Sequence, residues 1–311
     1  MTRILVTGGA GFSGSHLCDA IIEQTDWNLV VWDALTYAGD YNNLSNIWSD
    51  PEKKKRFEFQ HLDFSSYIDD RFSAQYKNID FICHAGAETH VRNSLENPHS
   101  FVWSNIIGTY NMLEVARKLQ PKKFLYVSTD EVFGASLTPK KETDELNPSN
   151  PYSATKASGE MLVKSYQSSF GLPCLISRTS NIYGKRQHIE KYIPMVEKQI
   201  QNHEIVEIHT DAEQNVGSRQ WIHASDQAAA LLFLLQTNQT GVFHIAGERK
   251  TNVEIADAIA ECMQKPLYRK YLNAYSKYAG HDLHYAIDDS KLRNLGWKPR
   301  LTFEEGLKLT V

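Results

Sequence analysis

Short runs of apolar, β-branched and aromatic residues recur through the first 180 residues, mostly without alternating apolar and polar positions. They are RILVT (3–7), LVVWD (29–33), FEFQHLD (57–63), IDFICHA (79–85), KFLYVS (123–128) and CLISR (174–178). Near-continuous apolar runs of this length are typical of strands that are buried on both faces of a sheet. The pattern therefore predicts a parallel sheet that is covered on both sides.

Between most of these runs lie stretches with helical character, most clearly residues 15–24, 104–119 and 153–170. Alternation of strands and helices predicts an α/β fold with a doubly wound parallel sheet of the Rossmann type. After residue 180 the elements become shorter and more polar, although GVFHIAG (241–247) again has the pattern of a sheet strand. We therefore expect a first domain formed by 1–180 and about 216–246. A smaller, interleaved lobe is expected from 181–215 and 247–311.

The composition of the 311-residue chain excludes several classes of protein. Hydrophobic residues make up 41 %, charged residues 23 %, and the formal net charge is −4, so no general attraction to nucleic acid or anionic membranes is expected. A strand-like run begins by Ile4, which leaves no room for a signal peptide, and no apolar run approaches the ~20 residues needed to cross a bilayer. The four cysteines are far apart and lack disulfide or metal-ligand spacing. We expect reduced thiols, no bound metal and a cytoplasmic location.

A glycine-rich turn follows the first predicted strand. The stretch VTGGAGFSGSHL places Gly8, Gly11 and Gly14 between this strand and the first helix, where backbone N–H groups and the helix dipole favour a pyrophosphate. The second strand ends in Asp33, roughly 20 residues after Gly14, which is the spacing of a carboxylate that binds an adenosine ribose. A carboxylate there repels a 2′-phosphate, which favours NAD over NADP. Asp63 ends the third run in the same way and is a candidate partner of the adenine.

The stretch NPYSATKASGEMLV contains Tyr152 and Lys156, whose spacing places both side chains on one face of a predicted helix. An ammonium group in this position is expected to stabilise the tyrosinate and to lower the pKa of the phenol. Such a tyrosine takes a proton from an alcohol while NAD takes the hydride from the same carbon. The pair therefore predicts redox chemistry at a hydroxyl group.

The run that ends at Ser128 is followed by Thr129, Asp130 and Glu131. In a continuing strand the two acids would point to opposite faces, so joint action on one substrate requires a turn, and the nearby Gly134 is consistent with one. Two carboxylates held close in a desolvated pocket do not both ionise readily, so one pKa is expected to rise. Which acid holds the proton at rest is left open, because the titration belongs to the pair.

Together these motifs resemble the extended short-chain dehydrogenase/reductase family, and within it the nucleotide-sugar 4,6-dehydratases. The resemblance runs nearly end to end and includes HAGAETHVRNSLENP (84–98), STDEVFG (128–134), NPYSATKAS (150–158), TSNIYG (179–184), EKYIP (190–194) and RQWIHASD (219–226). The adjacent acids are the specific part, because related epimerases and decarboxylases generally lack them. The resemblance implies NAD-dependent dehydration of dTDP-glucose or UDP-glucose to a 4-keto-6-deoxy sugar nucleotide.

The resemblance also implies roles for individual residues. Tyr152 is expected to be the redox base and Lys156 its electrostatic support, with Asp130 as general acid, Glu131 as general base and Thr129 beside the sugar. The expected cofactor-binding residues are Gly8, Gly11, Phe12, Ser13, Gly14, Asp33, Ala34, Leu35, Thr36, Asp63, Phe64, Ala85, Gly86, Ala87, Ser104, Tyr152 and Lys156. The expected contacts of the sugar nucleotide are Thr89, Thr129, Asn181, Lys191, Tyr192, Arg219, Asn252, Lys277 and His281.

Two stretches depart from the family pattern. Ser13 replaces the usual bulky aliphatic residue of the glycine turn, and Tyr278-Ala279 stand where Arg-Pro is common before His281. Lys277 is a candidate replacement for the diphosphate contact that this change removes, and both dTDP and UDP stay open as the nucleotide.

Alternative functions also stay open. They are a sugar-nucleotide 4-epimerase or decarboxylase on the same scaffold, and a non-catalytic, nucleotide-sensing relative. The resemblance further implies a homodimer that pairs the helices corresponding to 101–118 and 152–170.

Overall fold

The computed structural model describes residues 1–273 and 282–311. Within these ranges the strands are β1 (Arg3–Thr7), β2 (Asn28–Asp33), β3 (Phe57–His61), β4 (Phe81–His84), β5 (Lys123–Thr129), β6 (Cys174–Thr179), β7 (Asn181–Tyr183), β8 (Ile205–Thr210), β9 (Ser218–His223), β10 (Gly241–Ile245), β11 (Glu248–Thr251) and β12 (Tyr268–Asn273). Seven of them form a central parallel sheet in the order β10-β6-β5-β4-β1-β2-β3. The predicted Rossmann-type sheet is therefore confirmed.

The α-helices of the described residues are α1 (Phe12–Gln24), α2 (Ser45–Trp48), α3 (Pro51–Lys54), α4 (Asp70–Ser73), α5 (Val91–Glu96), α6 (Pro98–Val102), α7 (Gly108–Leu119), α8 (Pro151–Phe170), α9 (Tyr192–Gln201), α10 (Ala224–Gln236), α11 (Asn252–Met263), α12 (Ser290–Asn294) and α13 (Phe303–Thr310). A π-helical segment, Trp103–Ile107, joins α6 to α7, and short 3-10 helices occur at Tyr41–Leu44, Ala74–Tyr76 and Asp130–Phe133.

Both faces of the central sheet are covered. Ile4 and Val6 of β1 belong to a core that includes Leu17 of α1 and Leu231 of α10. Leu5, between them, belongs to a second core formed with α7 and α8. Side chains alternate between faces along a strand, so a run that is apolar at every position is buried from both sides.

The remaining strands of the described residues form two small sheets with the orders β11-β9-β7 and β12-β8, which we name the second lobe together with the helices that pack on them. The predicted domain boundaries stay a prediction; β9 lies in the segment assigned to the first domain but pairs with β7 and β11. Trp221 of β9 packs with Tyr183 of β7 and with apolar residues of α9 and α11 in a third core. After β9 the chain returns to the central sheet: α10 packs on one face of it, and β10 pairs with β6.

Across the described ranges, no helix is long and apolar enough to span a lipid bilayer. The same ranges hold no group of three or more His, Cys, Asp or Glu side chains that is arranged to bind a metal ion. All four cysteines are unpaired thiols, of which Cys262 is half-buried and the other three are buried.

Candidate active site

A cavity of about 550 Å³ lies beyond the carboxyl ends of the central strands. The strand order reverses between β1 and β4, and open α/β sheets bind ligands at this point. The cavity is lined by every expected cofactor-binding residue except Leu35. One cavity therefore gathers the glycine turn, the strand ends and the Tyr152–Lys156 pair.

The glycine turn has no room for side chains at two of its positions. Gly8 has a φ of 69°, and a Cβ there would lie 2.4 Å from the Cα of Gly86. A Cβ on Gly14 would lie 2.1 Å from the carbonyl oxygen of Gly8. Gly11 precedes α1, and no side chain in the described part of the chain caps this helix. The N–H groups of the first turn therefore fit the diphosphate of a dinucleotide.

Ser13 fills its unusual place in the turn through a polar contact. Its hydroxyl donates a hydrogen bond of 3.0 Å to Oε1 of Gln227 on α10. At this position α1 therefore contacts α10 through a hydrogen bond, whereas the resemblance predicts the apolar contact of an aliphatic side chain.

Asp33 is held firmly at the end of β2. Its Oδ2 accepts a hydrogen bond from the backbone N–H of Ala10 and its Oδ1 accepts one from Leu35, each at 2.8 Å. Burial raises the pKa of Asp33, and these N–H groups oppose the rise. Leu35 adopts a φ of 50° and packs against the core beneath α1, which explains its absence from the cavity lining.

The turn after β5 brings both adjacent acids to the cavity. Residues 130–133 form a 3-10 helix, and the hydroxyl of Thr129 caps it by accepting a hydrogen bond of 3.3 Å from the N–H of Glu131. Gly134 then adopts a φ of 66°, and a Cβ there would lie 2.4 Å from the carbonyl oxygen of Asn147. The turn that the sequence requires is therefore present, and the cavity is lined by both Asp130 and Glu131.

The two acids have different surroundings. Asp130 is 3 % exposed, and its Oδ2 has no hydrogen-bond partner among the described residues. Burial and then the charge of Glu131 raise the pKa of Asp130 to about 7. Burial also raises the pKa of Glu131, but the positive charges of Lys191 and Arg219 oppose that rise. These surroundings favour a proton on Asp130 and a negative charge on Glu131.

Tyr152 and Lys156 lie in the first two turns of α8. This helix begins with a capping box in which Asn150 and Ser153 bond to each other's backbone. The ammonium of Lys156 donates a hydrogen bond of 2.8 Å to the carbonyl oxygen of Val127. Both side chains of the pair are buried, and both line the cavity beside the acids.

The expected lowering of the phenol pKa is wrong for this structure. Burial and then the charge of Glu131 raise the pKa of Tyr152 well above its ordinary value. Burial also lowers the pKa of Lys156, to about 7. The charge of Lys156 is weakened by its own desolvation, so the phenol needs further positive charge beside it before it becomes a base near neutral pH.

The expected sugar-nucleotide contacts fall into two groups. The cavity is lined by Thr89, Thr129, Asn181 and Lys191 but not by Tyr192, Arg219 or Asn252. The hydroxyl of Tyr192 donates a hydrogen bond of 2.6 Å to the carbonyl oxygen of Asn252, and Nη1 of Arg219 donates one of 3.0 Å to the carbonyl oxygen of Ser218. Lys277 and His281 lie outside the described residues.

Several cavity-lining side chains escape the sequence analysis, namely His99, Trp103, Arg186, Gln187, His188 and Glu190. The rings of His99 and Trp103 stack with centroids 5.9 Å apart. Glu190 accepts a hydrogen bond of 3.1 Å from the hydroxyl of Tyr37 and so connects the second lobe to the loop after β2. His99 lies in α6 and Trp103 in the π-helical segment. Residues 186–190 lie in a loop without a periodic pattern, where proximity to the TSNIYG and EKYIP stretches is the only hint.

The chain matches the family described as GDP-mannose 4,6 dehydratase over residues 5–310. It is 38 % identical to the low-salt glycan biosynthesis protein Agl12 of Haloferax volcanii, over 99 % of this chain and 97 % of that protein. It is 36 % identical to a dTDP-glucose 4,6-dehydratase of Salmonella typhimurium, over 99 % of this chain and 91 % of that protein.

Two solved structures illustrate the range of similar folds. The dTDP-glucose 4,6-dehydratase DesIV of Streptomyces venezuelae, solved with NAD bound, superposes with a TM-score of 0.88 at 30 % identity, covering 99 % of this chain and 95 % of that one. A UDP-glucuronic acid 4-epimerase of Bacillus cereus, in complex with UDP-glucuronic acid and NAD, gives 0.89 at 27 % identity, covering 99 % and 97 %. Dehydratases and epimerases share this fold, so the side chains of the site must distinguish the reaction.

Proposed function

Because the chain belongs to the family described as GDP-mannose 4,6 dehydratase, within the extended short-chain dehydrogenases/reductases, we propose that it dehydrates a nucleotide-activated glucose. The substrate is dTDP-glucose or UDP-glucose, the product is the 4-keto-6-deoxy sugar nucleotide, and the enzyme is an NAD-dependent hydro-lyase. One observation carries this proposal. Asp130 and Glu131 share a cavity with Tyr152, in surroundings that favour opposite protonation states of the two acids.

The first step requires a base beside the C4 hydroxyl of the sugar. Tyr152 takes this proton, and Lys156, held on the carbonyl oxygen of Val127, stabilises the tyrosinate. Held by the glycine turn and Asp33, NAD would supply the acceptor for the hydride of C4, the donor of that hydride at the end of the cycle and a positive charge in the cavity. Thr129, at the end of β5, binds the same hydroxyl.

The ketone at C4 makes the hydrogen at C5 acidic and turns the C6 hydroxyl into a β-leaving group. Glu131, ionised, takes the proton from C5. Asp130, protonated, gives its proton to the C6 hydroxyl, which leaves as water. The resulting C5–C6 double bond receives a hydride at C6 and a proton at C5. The proton returned to C5 comes from Glu131. The hydride taken from C4 is the one delivered to C6, so the cycle consumes no oxidant, and the proton gained by Tyr152 balances the one lost by Asp130.

The deciding experiment is incubation with dTDP-glucose or UDP-glucose in deuterated water without an added reductant. Mass spectrometry and proton NMR should show loss of one water and entry of deuterium at C5. The substrate that is converted at the higher rate identifies the preferred nucleotide. Conserved mass with a C4 epimer would establish the epimerase instead. Release of carbon dioxide from a UDP-hexuronate would establish a decarboxylase, and absence of turnover by an NAD-containing protein would favour a sensing role.

We also propose that the enzyme is a cytoplasmic homodimer. Large apolar side chains lie exposed along the helices of one face of the sheet: Val102, Trp103 and Tyr110 near α7, and Met161 and Phe170 on α8 are 43 to 52 % exposed. Pairing of these helices with a second copy would cover them. Light scattering after gel filtration should give twice the chain mass, and Tyr110→Glu with Met161→Glu should give the monomer mass.

A further inference from the structure

Arg186 lies in the main cavity with only part of its guanidinium engaged. Its Nη2 forms an ion pair of 2.7 Å with Oδ2 of Asp19 on α1. Its Nη1 is buried and has no hydrogen-bond partner in the part of the chain that the structure describes, and the same holds for Oδ1 of Asp19. Buried donors without a partner are rare and costly. Because a guanidinium keeps its charge, the missing partner is expected to be an anion.

The backbone around Arg186 supports a functional role. Arg186 has a φ of 71°, in the left-handed region that residues other than glycine seldom adopt. The next two side chains also line the cavity, and each has one buried polar atom without a hydrogen-bond partner among the described residues, namely Oε1 of Gln187 and Nδ1 of His188. Three consecutive residues therefore present unsatisfied polar atoms within one ligand-sized space.

The packing against α1 identifies the kind of anion. Phe12, His16 and Asp19 lie on one face of α1 because their spacing follows the helical repeat. Phe12 lines the cavity, and a ring nitrogen of His16 lies 3.0 Å from the carbonyl oxygen of Lys185, within hydrogen-bond distance. The segment of Arg186 thus lies against the second turn of the helix that follows the glycine turn. A diphosphate fits the N-terminus of this helix.

We propose that Arg186 binds the diphosphate of the dinucleotide cofactor and that Asp19 orients its guanidinium. The inference rests on the NAD dependence in the proposed function. It makes the cofactor a ligand of both lobes, since the glycine turn belongs to the central sheet and Arg186 follows β7 of the second lobe. The sugar nucleotide is the other source of a diphosphate in this cavity.

The test compares the two sources in an Arg186→Met variant. The NAD that copurifies with the protein is quantified, and isothermal titration then gives the Kd of NAD and, at saturating NAD, that of dTDP and UDP. Loss of a charged hydrogen bond predicts NAD affinity lower by roughly 10- to 100-fold, with dTDP and UDP affinities changed by less than about twofold. Unchanged NAD affinity, or a loss confined to dTDP and UDP, overturns the inference.

Arg186→Met leaves Asp19 buried without its cation and could lower NAD affinity by destabilising the fold. A second variant controls for this effect. Asp19→Asn with Arg186→Gln removes both charges and should show the same loss of NAD affinity, with thermal unfolding of each protein recorded without nucleotide. Arg269→Met is the matched control. Arg269 forms an ion pair of 2.6 Å with Asp257, and neither residue lines the cavity. This variant should bind NAD as the wild type does.

These readouts separate this inference from the proposed reaction. A wild type that binds NAD but fails to dehydrate either sugar nucleotide contradicts the proposed function and leaves the comparison of Arg186 variants valid. Normal NAD affinity in both Arg186 variants overturns the inference whatever the dehydratase activity.

Discussion

Glu160 on α8 and Arg178 on β6 form an ion pair of 2.7 Å whose side chains are 0 % and 1 % exposed. The hydroxyl of Ser128 donates a further hydrogen bond of 2.7 Å to Glu160, and the guanidinium of Arg178 lies 4.7 Å from the ring centroid of Phe133. The pair therefore ties the helix that carries Lys156 to the end of β5 and to the turn of the adjacent acids. Relative placement of base, acid and tyrosine depends on this buried contact.

Replacement of Glu160 by Gln should destabilise the protein strongly. The substitution leaves the guanidinium of Arg178 buried without a counter-charge, and loss of one partner of a buried pair costs about 3–5 kcal/mol. Urea unfolding measures the change. Glu96→Gln is the control, because Glu96 pairs with Arg92 while both are about two-thirds exposed, and it should cost less than about 1 kcal/mol. Equal decreases in the free energy of unfolding of the two variants would show that the buried pair stabilises the protein no more than the exposed one.

Replacement of Glu131 by Gln should separate oxidation from dehydration. Tyr152 and the cofactor-binding residues are retained, and loss of the charge of Glu131 lowers the pKa of Tyr152. Substrate addition should therefore still produce the absorbance of reduced cofactor, while elimination stops for lack of a base at C5. Stopped-flow absorbance and product mass measure the two steps. Glu145→Gln, which removes an exposed acid outside the cavity lining, should retain full turnover. Water loss at the normal rate in Glu131→Gln would remove this residue from the role of base.

The raised pKa of Asp130 should appear in the pH dependence of stability. Its folded-state pKa is about 7, above the unfolded value of about 3.9. The folded state therefore binds the proton more tightly, and this contribution, complete below about pH 4, is lost as the pH rises to about 7. As the pH rises through this range, the free energy of unfolding of the wild type should fall relative to that of Asp130→Asn. The fall should be about 1.4 kcal/mol for each unit by which folding raises the pKa of Asp130.

Urea unfolding at pH 5 and pH 8 tests this difference, with Asp144→Asn as a control at another adjacent acid pair. Parallel curves for wild type and Asp130→Asn would show that Asp130 titrates normally. Dehydration by the wild type should also slow above about pH 7, because Asp130 then lacks the proton that the leaving hydroxyl needs.

The glycine turn offers a matched pair of substitutions. A Cβ on Gly14 would lie 2.1 Å from the carbonyl oxygen of Gly8, whereas a Cβ on Gly11 would lie 3.3 Å from the same atom. Gly14→Ala should therefore cost about 1–3 kcal/mol or more through backbone displacement, and Gly11→Ala about 1 kcal/mol through the poorer helix cap. Thermal unfolding without nucleotide measures both. A larger loss for Gly11→Ala would contradict the geometry.

The apolar runs predict all seven central strands because burial on both faces demands apolar side chains at nearly every position. Among the central strands, β3 has exposed polar side chains at Glu58 and His61, because it lies at the edge of the sheet. A run of residues does not show which neighbours will cover it. For the same reason the sequence does not predict that β9 belongs to the second lobe, where its apolar side chains pack.

The candidate site is predictable where chemistry follows a fixed local spacing. Gly8, Asp33, Asp130 and Tyr152 each belong to a motif within or at the end of one element, and all line the cavity. Arg186 lacks such a motif. Its partner Asp19 is far away in the sequence, and only the packing of the second lobe against α1 brings the two together.

The return of the chain to the central sheet has a consequence for folding. Helix α10 packs against α1, and β10 adds to β6, yet both are synthesised after the first part of the second lobe. Leu17 and Ile21 on α1 therefore stay uncovered on the ribosome until about residue 245 has emerged. A fragment that ends near residue 180 would expose this apolar surface. We therefore expect α1 to be fully covered only after the segment that contains α10 has folded, and a chain truncated near residue 180 to aggregate more readily than the full chain.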